Sequence, residues 1–267
     1  MYPPERIVCL TEETTETLYL LGEQDRIVGI SGYTVRPPQA RREKPRVSAF
    51  ISADMPKILA LQPDLVLTFS DLQADLVASL VRAGINVHAF NQRTVAEILD
   101  MIRTLGAIVG APDRAMALAD ELAANVEATR RRTSGAGPRP RVYFEEWDDP
   151  MISGIAWVSQ LVEAAGGADI FPELATCKSA RDRIVTPDEV IRRAPDIVIG
   201  SWCGKKFKSE KLVARPGFGS LPAVRNGRLH EIKSPLILQP GPAALTDGLA
   251  ALEAIISGAA DRDPAGR

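Results

Sequence analysis

Histidine is the scarcest chemistry-bearing residue here: 267 residues contain only His88 and His230. A dedicated zinc or manganese site needs three or four converging ligands. Both histidines fall inside runs that read as strands, so no such site is expected, and His88 reads as a core or edge residue. Cysteine is nearly as rare. Cys9, Cys177 and Cys203 are odd in number and lack Cys-x-x-Cys spacing, which argues against a disulfide framework. Cys9 lies in an apolar run and reads as core. No run of about 18 apolar residues occurs, so no helical membrane span is expected. An excess of one charge is also missing. With 32 basic against 34 acidic residues and a net charge of −2, nucleic acid is not an expected partner. The start, "MYPPERIVCL", meets a strand pattern at once, without a charged n-region, an h-region or a cleavage site. As written, that is a cytoplasmic start.

What is present is ordinary globular material, 45% hydrophobic and 25% charged, enough for one large α/β domain or two lobes. The strongest internal signal is an echo. "ILALQPDLVLTFSD" (58–71) and "VIRRAPDIVIGSWC" (190–203) each run from a short amphipathic helix through Pro-Asp into a strand buried on both faces. Two such units predict two similar lobes with parallel sheets.

In the first lobe, "ERIVCL", "RIVGIS", "DLVLTF" and "INVHAF" read as strands. Thr11 is the expected N-cap of the helix in "TEETTETLYLLG", with Glu12 and Glu13 at its positive end and Gly22 past its end. In "DLQADLVASLVRAG", Leu72, Leu76, Leu80 and Ala83 form the expected core face of a helix stopped by Gly84. Residues 94–109 read as helical, and 112–133 as one long helix of about 30 Å. The second lobe begins near "RVYFEEW", continues through a helix at 157–165, and closes with a helix near 242–257. The divisions are therefore 1–111 for the first lobe, 112–133 for a linking backbone helix, 134–260 for the second lobe, and 261–267 for a frayed tail.

"RIVCLTEETTETLYLLGEQDRIVGIS", "ILALQPDLVLTF", "GINVHAF", "VTPDEVIRRAPDIVIG" and "LPAVRNGRLHEI" together resemble the helical-backbone (class III) substrate-binding proteins of ABC importers. The likeness is to the cobalamin and ferric-siderophore branch. The resemblance implies two Rossmann-like lobes joined by one rigid helix, with the ligand held in a cleft between them. It implies a non-enzymatic binder of a cobalamin-like corrinoid or another metal chelate, a ferric siderophore being an alternative. It implies no intrinsic cofactor, and a monomer. Four aromatic positions match the family's pocket: Tyr33, Phe50, Phe69 and Trp147. Such rings contribute apolar area at little entropic cost. The family docks on its permease through one acid per lobe. Asp188 or Glu189 supplies it in the second lobe, whereas the matching place in the first holds Pro56, flanked by Lys57. The family location is periplasmic, which requires a leader ahead of the residues shown. A cytoplasmic ligand- or cofactor-handling protein on the same scaffold, even an enzyme, is the alternative.

The stretch "GSWCGKKF" asks for its own account. Trp202 follows a buried strand, where open parallel sheets place their ligands, and reads as ligand floor or interlobe contact. Lys205, Lys206, Arg181 and Arg183 read as rim charges for a carboxylate, amide or phosphate. The spacing is not GxxxxGK[ST], so a nucleotide grip is not supported. Cys203 lacks a triad-like motif and stays unexplained. Glu145-Glu146 and Asp148-Asp149 read as a solvated acidic loop, with a cation site or an acidic rim as the alternatives.

Overall fold

The computed structural model describes residues 3–135 and 137–258; the tail at 261–267 lies outside the described residues. The chain divides into two compact units. One is formed by the chain up to Gln92 together with Ala96–Leu122, the other by Arg93–Val95 together with the chain from Ala123 onward.

In the first unit, β1 (Ile7–Cys9), β2 (Ile27–Ser31), β3 (Arg46–Ser48), β4 (Leu65–Phe69) and β5 (Val87–Phe90) make a sheet in the order β3-β2-β1-β4-β5. Every pairing is parallel. The central strands β1 and β4 are buried at every residue, as their unbroken apolar runs require. Thr11 caps the helix Glu12–Leu20 with extended backbone, but its side chain makes no cap bond. Its carbonyl instead accepts from the Thr14 and Thr15 hydroxyls, at 3.3 and 3.2 Å. Gly22 adopts φ +70 just past that helix, a conformation cheap only for glycine.

One expectation fails here. Leu72 is not on the core face of its helix but 60% exposed, in a single 3-10 turn (Asp71–Gln73) before the helix Ala74–Arg82. The cause is Ser70, whose φ of 65 turns the chain and whose side chain accepts from the Leu72 N–H. That turn buries Gln73 and expels Leu72. Ala83, at the C-cap, is exposed as well, while Leu80 is buried and Leu76 packs partly against the core.

In the second unit, β6 (Arg141–Asp148), β7 (Met151–Ser153), β8 (Ala168–Asp169), β9 (Ile197–Gly200) and β10 (Leu229–Glu231) form a sheet in the order β10-β9-β6-β7, with β8 also on β6. This sheet is mixed rather than wholly parallel. β7 runs antiparallel to β6, because only Asp149 and Pro150 connect them and a crossover needs a dozen or more residues. Its core joins Tyr143, Phe171, Val198, Trp202, Phe207 and Phe218.

The Pro-Asp echo has a shared geometry. Gln62 (φ 48) and Ala194 (φ 44) each turn left-handed ahead of the proline. The aspartate after it then grips the start of the neighbouring strand. Asp64 accepts the N–H of Arg6 at 3.0 Å, and Asp196 accepts the N–H of Arg141 at 2.9 Å. The helix Pro112–Thr133 gives its residues through Leu122 to the first unit and the rest to the second. In the second, Asn125 donates to the Leu245 carbonyl at 2.7 Å and Arg132 pairs with Glu253 at 2.7 Å.

Candidate functional site

Parallel strands deliver their following loops to one end of a sheet, so each unit has a loop-bearing carboxyl end. In the first unit these loops present large apolar side chains to solvent. Tyr33, after β2, is 51% exposed; Ile51, after β3, is 69% exposed; Leu72, after β4, is 60% exposed. Phe50 beside Ile51 is partly buried, and Phe69, the last residue of β4, is 6% exposed. A tight turn carries Phe50 and Ile51 at its tip, closed by the Ala49 N–H on the Ser52 carbonyl at 2.8 Å.

Sequence reasoning missed the residue that ties these loops together. Gln73 is fully buried; its side-chain oxygen accepts the Phe69 N–H at 3.0 Å. Its amide nitrogen donates to the carbonyls of Leu10 (3.3 Å) and Phe50 (2.6 Å). Loops after β1, β3 and β4 are thus fixed by one amide. The only sequence signal was a glutamine among apolar helix positions.

The same end holds buried acid. Glu12, Glu13 and Glu16, just past β1, are 8, 1 and 8% exposed. Burial, reinforced by the neighbouring glutamates, pushes Glu12 up to about 8. Burial likewise pushes Glu13 up to about 7, with the neighbouring Glu16 charge adding to it. Glu16 accepts from Arg36 Nε at 2.9 Å.

In the second unit the loop-bearing end is a charged lattice on β6 and the loop after β9. The Glu145 carboxylate is fully buried and accepts from Tyr143 Oη (3.0 Å), Trp202 Nε1 (2.9 Å) and both terminal nitrogens of Arg215 (2.5 and 3.0 Å). Burial, then the Glu145 charge, drives the Tyr143 hydroxyl well above its ordinary value. Burial works against the Arg215 charge, yet Glu145 holds its pKa above the usual arginine value. One step further out, the Asp148 carboxylate has no exposed surface and takes one ammonium on each oxygen, Lys205 on one and Lys211, at 2.5 Å, on the other. Burial alone would raise its pKa, but the two lysines hold it below the usual carboxylate range. Lys205 Nζ also stands 3.9 Å from the ring centroid of Trp147.

Several expectations are corrected by this lattice. The acids of 145–149 do not form a solvated loop: Glu145 and Asp148 lie in β6, buried and paired. Trp202 is not an open floor. It is 2% exposed, edge-on to Phe207 at 5.0 Å, with its N–H spent on Glu145. Arg183, read as a rim charge, is also 2% exposed and holds Glu146 at 2.6 Å. Trp147 is partly buried, whereas Lys205, Lys206, Arg181 and Cys203 are exposed. The structure therefore gathers Trp147, Trp202 and Lys205 at one end of the second unit, and Tyr33, Phe50 and Phe69 at one end of the first.

Of the two acids in "TPDEVI", Glu189 closes a capping box with Thr186, which leaves Asp188 exposed and without that duty. Pro56 is exposed in the first turn of the helix Met55–Ala60, whose N-cap, Asp54, accepts the Lys57 N–H at 3.1 Å. His88 is half-buried, 4.3 Å from the Phe90 ring, and burial lowers its pKa. No cluster of three or more His, Cys, Asp or Glu side chains fit to hold a metal ion occurs among the described residues. No helix among them is long and apolar enough to cross a membrane.

Comparison with known proteins places this geometry in context. The model of the family described as Periplasmic binding protein matches residues 7–236. A Vitamin B12-binding protein of Vibrio cholerae is 26% identical over 253 residues, covering 91% of this chain and 86% of its own length. A Cobalamin-binding protein of Halobacterium salinarum is 28% identical over 202 residues, covering 73% and 53%. Among solved structures, the periplasmic heme-binding protein RhuT of Roseiflexus superposes with a TM-score of 0.79 at 25% identity, covering 94% of this chain and 99% of its own.

Proposed function

The chain belongs to the Periplasmic binding protein family, and from that premise we propose that it is a substrate-binding protein that takes a cobalamin-like corrinoid for an ABC-type importer. The observation that carries the reading is the outward display of Tyr33, Ile51 and Leu72 on the loops after β2, β3 and β4. Large apolar side chains left open together at the loop-bearing end of a sheet mark a surface kept for a partner. A broad macrocycle with apolar faces matches that chemistry, and the names of the relatives from Vibrio cholerae and Halobacterium salinarum point the same way.

Binding without catalysis fits the second unit, where Glu145 is paired with Arg215 and Asp148 with Lys205 and Lys211, so that neither carboxylate stands ready for proton transfer. Delivery to a permease would use Asp188 on the second unit. The first unit offers Pro56 at the matching place, so docking there is the weaker half. Periplasmic placement follows the family.

A second reading, a haem, is favoured by one observation: the exposed phenol of Tyr33 is an oxygen donor of the kind that ligates haem iron. Calorimetric titration with cyanocobalamin and with hemin decides. The corrinoid reading expects one cyanocobalamin per chain at micromolar affinity or better. No heat at high micromolar cyanocobalamin overturns it. A hemin complex whose absorbance changes in Tyr33→Phe would put the haem in its place.

A further inference from the structure

The Asp148 lattice carries more charge than its own neutrality needs. One carboxylate is shared by two ammonium groups, so the Asp148–Lys205–Lys211 triad has a net charge of +1. The neighbouring Glu145–Arg215 pair is closed and contributes none. Along 203–211, Lys205, Lys206, Lys208 and Lys211 meet a single acid, Glu210.

The two triad lysines are not hidden. Their side chains are 39% and 54% exposed, while Asp148 beneath them is fully buried. An ammonium has three N–H donors, and each of these gives one to Asp148. The others point away from a fixed anchor. Position is fixed too, because Lys205 lies over Trp147, with Trp202 at 5.5 Å from Lys205 and 5.7 Å from Lys211. A lysine free on a surface loses side-chain entropy when it grips an anion; a lysine already held between a carboxylate and an indole has lost much of it.

We propose that Lys205 and Lys211, seated on Asp148 beside Trp147, form an oxyanion subsite that selects a ligand bearing a carboxylate or phosphate next to its apolar body. The proposal rests on the corrinoid-binding reading of this chain. It adds that the chain tells members of that class that carry an oxyanion from those that carry none. The oxyanion could be a carboxylate on the ring's edge or the phosphate diester of a nucleotide tail.

Three corrinoids separate these sources: cyanocobalamin carries the phosphate, cobyric acid a carboxylate, and dicyanocobinamide neither. Affinities are measured by calorimetry at low and high salt for the native chain and for Lys205→Gln, Lys211→Gln and Lys205→Arg, with thermal melts reporting folding. At least one of the two oxyanion-bearing ligands should bind about tenfold tighter than cobinamide at low salt. That preference should shrink at high salt, fall below about threefold in each glutamine variant, and persist in Lys205→Arg. The ligand that shows it identifies the oxyanion. Equal affinity for all three in the native chain, or an undiminished preference in both glutamine variants, overturns the proposal. If no corrinoid binds, the corrinoid reading fails separately. Inorganic phosphate then probes the subsite directly: saturable quenching of tryptophan fluorescence that Lys205→Gln abolishes supports it, and no quenching overturns it.

Discussion

The Trp202 indole N–H donates at 2.9 Å to the buried carboxylate of Glu145, 57 residues earlier in the chain. This bond joins the loop after β9 to β6, and Arg215 completes it from a third segment with two nitrogens on the same carboxylate. Removing the arginine leaves Glu145 buried with only the neutral donors of Tyr143 and Trp202. Breaking one side of a buried pair costs about 3–5 kcal/mol. Arg215→Ala should therefore lower unfolding free energy by that order in urea titration. A loss under about 1 kcal/mol would show that the pair is not needed to hold the two segments together.

Gln73 invites a sharper separation of stability from binding. Gln73→Ala strips the Phe69 N–H and the carbonyls of Leu10 and Phe50 of one buried partner. Each buried group left unmatched costs about 1–3 kcal/mol, so with three groups affected the variant should lose about 3 kcal/mol or more in all. It should also bind cyanocobalamin several-fold more weakly, because the turn bearing Phe50 and Ile51 is no longer anchored. Leu72→Ser, at an exposed position, should change stability by less than about 0.5 kcal/mol while weakening binding. Urea titration and calorimetry on both variants check the pair. Equal binding by Gln73→Ala and the native chain would mean that the anchored turn is not part of the site.

How much of this could be read in advance follows from the range of the physics. The first unit's parallel strands were legible because burial on both faces leaves unbroken runs such as "LVLTF", and the Pro-Asp echo because proline and aspartate act on adjacent residues. The helix Pro112–Thr133 announced itself through its length and its terminal arginines. Aromatic positions came from resemblance rather than from periodicity. What stayed illegible was set by partners far along the chain. Glu145 and Asp148 look like surface acids until Arg215, Lys205 and Lys211 arrive from 57 to 70 residues away. Trp202 looks like an exposed ring until Glu145 takes its N–H. Leu72 went the other way because a single Ser70 φ of 65 overrode a sound helical pattern.

The buried acids after β1 make stability depend on pH in a stated direction. Glu12 and Glu13 hold their protons up to about pH 8 and about pH 7 in the folded chain, against about 4.5 for an ordinary glutamate. Between those limits the folded state holds more protons than the unfolded one, so stability falls as pH rises. Their contribution is complete below about 4.5 and is lost by about pH 8. His88, whose pKa burial lowers, acts in the opposite sense below 6.5. Acids held low by ion pairs, such as Asp148 and Asp196, lose their contribution only at more acidic pH. A single variant isolates the effect. Glu13→Gln keeps the shape and removes the titration, so its melting temperature relative to the native chain should rise from pH 5 to about 7 and level off above that. Melts across that range decide the matter: a difference that stays constant with pH would show that Glu13 is already ionised in the folded chain throughout the window.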